Sequence, residues 1–109
     1  MKLTRLENIT LHKLIKVTLP DGERDDRPDK GVTYQALIQY LDDEVATAMY
    51  GADVDKVHRV ATIRNELEHF LLPKVENRQG NISEYILSYN GNYYSILKVT
   101  PRYLDMRWR

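Results

Sequence analysis

Alternation of apolar and polar residues with a period of two is clearest in the last quarter of the chain. Between Ser83 and Val99, two runs rich in aromatic and β-branched residues flank Asn90-Gly91. Such alternation predicts β-strands. Asn followed by Gly accepts the positive φ angles of a type I′ turn better than other residue pairs. The pattern therefore predicts a β-hairpin with Asn90 and Gly91 at its turn.

The same period predicts three further strands. The first covers 9–19, with a bend or bulge near Lys13, where the alternation is imperfect. The second covers 32–40. The third covers 103–108 and places Trp108 on its apolar face, so we expect this side chain to pack into the core.

A short helix is predicted between the second strand and the middle of the chain. Asp42, Asp43 and Glu44 precede the run 45–50, and Gly51 follows it. Acidic residues stabilise the positive end of a helix dipole, and glycine is a frequent helix stop. This arrangement predicts a helix of about two turns.

Two segments are harder to interpret. The segment 57–72 has apolar residues at helical spacing, yet 57–64 also alternates like a strand. Pro73 is expected to end either element. The segment 21–31 is charged and contains proline and glycine, which predicts a mobile surface loop. Together these patterns predict a mainly β domain of about five to six strands with one short α-helix, as a small barrel or sandwich.

Composition narrows the class of protein. A length of 109 residues predicts a single domain, 1–109, and zero net charge gives no general affinity for polyanions. The absence of cysteine excludes disulfides and thiolate metal sites, and no apolar run approaches the roughly 20 residues of a membrane span. The charge is uneven, because 1–16 and 98–109 are basic while 21–30 is acidic. Such patches suit subunit contacts, or form an ordinary solvated surface.

The chain carries no recognisable catalytic motif. Its serines lie outside any nucleophile elbow, and the three histidines match no zinc signature. The acidic segment starting at Asp21 lacks the glycine and glutamate of a calcium loop, and the glycines form no phosphate cradle. We therefore expect no enzyme activity and no catalytic, cofactor-binding or metal-binding residues. Basic and aromatic residues are mixed at the C-terminus, and small barrels that bind single-stranded nucleic acid use such residues.

The order of these features resembles a known family. A strand containing Tyr34-Gln-Ala-Leu-Ile-Gln39 precedes the acid-led helix, and Val57-His-Arg-Val-Ala-Thr-Ile-Arg64 follows it. The final hairpin has the form Tyr-x-Gly-x-x-Tyr-x-Ile, from Tyr89 to Ile96. On these motifs the chain is similar to the head-closure, or stopper, proteins of long-tailed bacteriophages, a branch of the head-tail joining family. Segments 21–31 and 65–81 differ from the family pattern, and the resemblance favours a strand after Val57.

The resemblance implies a non-enzymatic virion protein with a small β-barrel. It implies a ring of six or twelve copies at the head-tail interface, beneath the portal and adaptor, made in the host cytoplasm. The ring would retain packaged DNA and dock the tail proteins, with no membrane and no small-molecule substrate. Residues implied to face the channel are Asp42, Asp43, Glu44, Tyr50, Asp53 and Asp55. Residues implied to contact subunits or partners are Asp21, Glu23, Asp25, Asp26, Arg27, Asp29, Arg102, Arg107 and Arg109.

Two other functions fit the same sequence. One is a nucleic-acid-binding barrel that uses Tyr103 and Trp108 for base stacking. The other is a neighbouring connector component, an adaptor or a tail-completion protein, because these share the size and β content of stoppers.

Overall fold

The computed structural model describes residues 5–51, 56–76 and 82–109. Within these ranges the strands are β1 (Glu7–Thr18), β2 (Arg24–Pro28), β3 (Val32–Tyr40), β4 (Val57–Thr62), β5 (Tyr85–Tyr89), β6 (Asn92–Val99) and β7 (Leu104–Trp108). The α-helices are α1 (Asp43–Tyr50) and α2 (Glu66–Glu76), and single 3₁₀ turns span Ile63–Asn65 and Ile82–Glu84.

Six of these strands close into an antiparallel barrel. The order is β1-β3-β4-β7-β6-β5, and β5 returns to pair with β1. β2 lies outside the ring and pairs with β1 alone among the described strands. The structure thus confirms the prediction of a small, mainly β barrel, with a second helix added to the one predicted.

β1 is shared between the barrel and a hairpin. Residues 7–11 pair with β3 and residues 10–13 pair with β5, so this half is held on both sides. Residues 14–18 pair with β2 instead. The change of partner comes directly after Lys13, where the sequence pattern becomes irregular.

The predicted mobile loop at 21–31 is wrong for its central part. Arg24–Pro28 is a strand in register with β1, from Leu14 opposite Pro28 to Thr18 opposite Arg24. Every residue of this strand is exposed, so its sequence carries no apolar alternation by which a strand is recognised. Its pairing with β1 comes from backbone hydrogen bonds.

The barrel is filled by apolar side chains from its strands and from α2. Leu67 and Leu71 lie four residues apart, so they share one face of α2, and both are fully buried in this core. Trp108 does not join them: its side chain is 44% exposed, with Lys56 Nζ at 4.3 Å from the ring centroid. The predicted core position of Trp108 is wrong because β7 reaches the rim of the barrel there.

The ambiguous segment 57–72 contains both predicted elements in succession. β4 ends at Thr62, and α2 begins at Glu66 after a 3₁₀ turn. The fully buried Glu68 accepts hydrogen bonds from the Thr62 backbone N–H (3.1 Å) and hydroxyl (2.9 Å). Pro73 lies inside α2, so the prediction that it ends the preceding element is wrong. Because proline has no backbone N–H, Pro73 removes one hydrogen bond from α2, but the helix continues to Glu76.

Candidate partner-binding surfaces

The acidic residues predicted to face a channel lie at the start of α1. Asp42 caps this helix, since its Oδ1 accepts from the Glu44 backbone N–H at 2.9 Å. The Tyr40 hydroxyl donates to Asp43 Oδ1 at 2.7 Å. All three acids are exposed, so they form one negative corner of the molecule. Asp53 and Asp55 lie outside the described residues.

Tyr50 belongs to a different environment from these acids. It is partly buried, and its hydroxyl donates to Asp105, which is fully buried in β7. Arg59 Nε and Nη2 donate to the same carboxylate at 2.9 and 3.1 Å. The pKa of Tyr50 is raised mainly by burial and next by the hydrogen bond to Asp105. The hydrogen bond to Asp105 raises the pKa of Arg59. Tyr50 therefore stays a neutral donor and Arg59 a charged one.

This cluster of Tyr50, Arg59 and Asp105 ties the last residue of α1 to β4 and β7. The Tyr103 ring lies under Arg59, with the guanidinium carbon 4.1 Å from its centroid. Sequence reasoning missed the cluster, although an acid between the apolar Leu104 and Met106 was a signal. Alternation places Asp105 on the outer face of β7, and it is buried there because α1 and Arg59 cover it.

The acidic residues of the second predicted contact set fall on the β1–β2 hairpin. Asp25 pairs with Arg27 of the same strand at 3.2 Å, with both side chains more than half exposed. Asp21 Oδ1 accepts from the Glu23 N–H at the hairpin tip. With Asp26, which is also exposed, they make the hairpin a charged surface.

Asp29 instead fixes the base of this hairpin. Its Oδ1 accepts from the Lys13 N–H at 3.0 Å, and its carbonyl oxygen accepts from His12 Nδ1 at 2.7 Å. A carbonyl only accepts, so a neutral His12 carries its proton on Nδ1 and accepts from the Ser88 hydroxyl at Nε2 (2.8 Å). These hydrogen bonds join the β2–β3 connection to β1 and β5, so Asp29 has a structural role.

The predicted basic contacts are divided between two surfaces. Arg109 is exposed and shares a groove of about 420 Å³ with Asp26, Tyr93 and Trp108. Arg102 lies on another face, where its carbonyl accepts from Asn65 Nδ2 at 2.9 Å. Arg107 is half-buried in β7, opposite Ser95 and Val57 in register. The C-terminal arginines therefore do not form one continuous basic patch.

An aromatic cluster inside one end of the barrel was not predicted. The His58 ring packs edge-on against Tyr40, Tyr94 and Tyr89, with ring centroids 5.2, 5.3 and 6.0 Å away. Burial lowers the pKa of His58, so this ring is neutral at pH 7. The Tyr89 hydroxyl donates to Glu7 Oε1 at 2.9 Å. Burial is the largest cause that raises the pKa of Tyr89 to about 12, and this hydrogen bond is the next largest. The cluster closes the barrel end beside α1.

Comparison with known proteins identifies the fold alone. No family model matches the chain, and no curated protein matches it significantly in sequence. The solution structure of protein SF1141 from Shigella flexneri 2a is similar, with a TM-score of 0.56 and 17% identity. The match covers 100% of this chain and 96% of that protein.

No helix among the described residues is long and apolar enough to cross a membrane.

Proposed function

We propose that this protein is a head-tail connector of the head-closure type from a long-tailed bacteriophage. It is a non-enzymatic virion protein that forms a ring beneath the portal and adaptor, retains packaged DNA and docks the tail. The observation that carries the proposal is a closed barrel from which a charged two-stranded hairpin extends. The Tyr-x-Gly-x-x-Tyr-x-Ile motif supports it, since its residues form the β5–β6 hairpin as the family pattern requires.

The β1–β2 hairpin has the properties of a partner contact. Isolated two-stranded hairpins are marginally stable in water, and this one exposes Ile15 on one strand and the whole of β2 on the other. A surrounding subunit, adaptor or tail protein would cover it. Its acidic tip would meet basic groups on that partner.

The acidic corner at the start of α1 supports a role beside DNA. Repulsion between carboxylates and phosphates lets a polymer pass without sticking. Asp42, Asp43 and Glu44 are exposed, and the Tyr50–Asp105 bond holds the far end of the helix against the barrel. A helix fixed to the barrel in this way would keep the three acids facing a channel.

Electron microscopy with protein mass spectrometry on particles from the parent genome tests the proposal. With this gene deleted, we expect tailless heads that lose DNA, and intact particles should contain six or twelve copies of the protein. Normal tailed particles without the protein would overturn the proposal.

A charge reversal in the hairpin separates assembly from folding. Asp25→Lys with Asp26→Lys should reduce tail attachment strongly and change the melting temperature little, because exposed charges contribute about 0–1 kcal/mol to folding. Lys98→Glu, a charge reversal on exposed β6, is the control and should leave attachment intact. Unchanged attachment in the hairpin variant would count against its role as a contact.

A second candidate function is binding of single-stranded nucleic acid, favoured by the exposure of Trp108 and Tyr93 around one groove. Zero net charge and the Asp26 carboxylate in that groove weigh against it. Oligonucleotide titration of the wild type and Trp108→Ala tests it, and binding with a steep salt dependence that is lost in the variant would favour it.

A further inference from the structure

The groove beside the end of β7 has two aromatic side chains in its lining. Tyr93 and Trp108 are 45% and 44% exposed, and they border a space of about 420 Å³ together with Pro28 of the β1–β2 hairpin. The buried side chain of Ile86 lines the same space. We call this feature the aromatic groove.

Both aromatic rings are held in place by the rest of the molecule. Lys56 Nζ lies 4.3 Å from the centroid of the Trp108 ring, and the Tyr93 ring packs edge-on against His12 with the centroids 6.0 Å apart. The Arg109 backbone N–H donates to the Tyr93 carbonyl at 3.0 Å, which ties the end of β7 to β6. Rigid aromatic side chains offer a large contact area and lose little conformational entropy on binding.

The barrel strands that border the aromatic groove are already paired on both sides. β5 pairs with β1 and β6, β6 pairs with β5 and β7, and β7 pairs with β4 and β6. Recognition of a peptide by strand addition needs an unpaired strand edge. On this wall an extended peptide therefore has to be recognised by side chains.

A proline-rich segment is suited to recognition of this kind. Such a segment adopts the polyproline II conformation, which is extended before binding and has no internal hydrogen bonds. Domains that bind proline-rich segments use grooves lined by aromatic side chains. The carbonyl groups of the segment need donors, and the Trp108 indole N–H and the Tyr93 hydroxyl are donors in this groove.

The two sides of the aromatic groove differ in charge. Asp26 lies on the hairpin side and Arg109 on the barrel side, and both residues are exposed. A basic residue beside the prolines of a segment would therefore lie toward the hairpin, next to Asp26. The same carboxylate repels the phosphates of a nucleic acid, which favours a peptide over an oligonucleotide as the occupant.

The occupant has to be another protein, because this chain contains no proline-rich segment. It has four prolines, and the closest two, Pro20 and Pro28, lie eight residues apart. Segments that bind aromatic grooves have prolines at a spacing of P-x-x-P. A second copy of this chain therefore cannot supply the ligand.

We propose that the aromatic groove binds a proline-rich segment of another protein in the polyproline II conformation. The prolines pack on Tyr93 and Trp108, and a basic residue beside them pairs with Asp26. The inference stands on the groove and does not depend on the connector role. In a connector, the segment would belong to an adaptor or tail protein.

The single tryptophan of the chain makes a direct test possible, because fluorescence of Trp108 reports on the groove itself. The probe is a synthetic peptide of ten prolines that ends in two arginines, titrated into the purified full-length protein. We expect a saturable change in emission. A glycine-serine peptide of the same length with the same arginines is flexible and should cause no change. No response to the proline peptide, or the same response to both peptides, would overturn the proposal.

Variants test which side chains bind the peptide. Tyr93→Ala should weaken binding about tenfold, because it removes one of the two aromatic contacts. Phe70→Ala removes an equally exposed aromatic side chain from α2 and is the matched control, with unchanged affinity. Asp26→Asn should weaken binding of the arginine-ended peptide about threefold and leave binding of a plain proline peptide unchanged. Wild-type affinity in Tyr93→Ala, with native circular dichroism, would overturn the proposal.

Chemical-shift mapping locates the peptide on the wild-type protein and needs no variant. Amide resonances of 26–28, 91–93 and 108–109 should move on addition of the proline peptide, and those of 66–76 should stay in place. Shifts centred on another face would overturn the proposal.

Two further outcomes separate this inference from the other functions. A fluorescence response to a single-stranded oligothymidine that falls steeply with salt, without a response to the proline peptide, would overturn it and assign the groove to nucleic acid. Binding of the proline peptide, with normal tailed particles after gene deletion, would keep the groove and reject the connector role.

Discussion

The barrel and the β1–β2 hairpin share one strand but differ in what holds them. In the barrel half of β1, Ile9 is fully buried and the strand pairs on both sides. In the hairpin half, Ile15 is 50% exposed and the strand pairs with β2. The barrel is thus stabilised by its own contacts, whereas the hairpin leaves an apolar side chain half exposed, as the proposed partner contact requires. Residues of the same type in the two halves give matched tests of this difference.

The largest difference is expected between the two isoleucines of β1. Ile9→Ala removes a fully buried side chain and leaves a cavity, which should cost about 4 kcal/mol of the free energy of unfolding. Ile15→Ala removes a half-exposed side chain and should cost less than about 1 kcal/mol. Urea denaturation followed by circular dichroism measures both values.

The proposed connector role changes the expected result for Ile15 alone. If the protein is the proposed connector, Ile15→Ala should weaken tail attachment in assembled particles even though the isolated protein stays folded. Equal destabilisation of the isolated protein by both variants would mean that the hairpin is part of the core, and the contrast between the two regions would fail.

The second comparison concerns two aspartates that pair with arginine. Asp105→Ala leaves the partly buried Arg59 without its partner and the Tyr50 hydroxyl without its acceptor, at a cost of about 3 kcal/mol. Asp25→Ala breaks the exposed pair with Arg27 and should cost about 0–1 kcal/mol. Thermal denaturation of the two variants checks the order, and similar losses would show that burial does not set the strength of these pairs.

Asp105→Ala should also release α1 from the barrel. Hydrogen exchange at the amides of 43–51 should rise in this variant more than exchange in the β5–β6 hairpin. Unchanged protection of α1 would mean that its other contacts, through Leu41, Ala46 and Val57, are sufficient to hold it.

Much of the barrel was predictable because its signals are local. Alternating residues identified β3 and the β5–β6 hairpin. The acids 42–44 with Gly51 identified α1, although the predicted run 45–50 begins two residues after the helix does. β2 was missed because all of its residues are exposed, so its pairing depends on a neighbouring backbone that a pattern of side chains does not reveal. Trp108 was misplaced because alternation gives a face of the strand but not the distance to the barrel rim.

The candidate surfaces were predicted less well than the fold. The acids at the start of α1 and the charged hairpin are exposed as expected, because runs of charge are rarely buried. Tyr50 and Asp29, however, are engaged in structural hydrogen bonds. Their partners lie 55 and 16 residues away in sequence, and such long-range pairing has no local signal.

The smallest difference is expected between two glycines with positive φ. Gly31 joins β2 to β3 with φ of +80°, and a Cβ there would lie 2.7 Å from the Leu11 carbonyl oxygen and the His12 ring. Gly22, at the hairpin tip with φ of +87°, has open space around it. Gly22→Ala therefore incurs only the left-handed backbone cost of about 1 kcal/mol, whereas Gly31→Ala adds a steric overlap with the backbone and should cost about 2–3 kcal/mol.

The same pair shows where the barrel ends and the hairpin begins. Gly31→Ala should displace His12 and weaken its bonds to Asp29 and Ser88, which a shift of the His12 ring resonances in NMR would report. Gly22→Ala should leave these resonances unchanged, because the tip lies beyond the last pairing of β1 with β2. If the tip variant moved them as well, the hairpin would be mechanically continuous with the barrel. A hairpin that transmits strain in this way would be an integral part of the barrel and not an extension awaiting a partner.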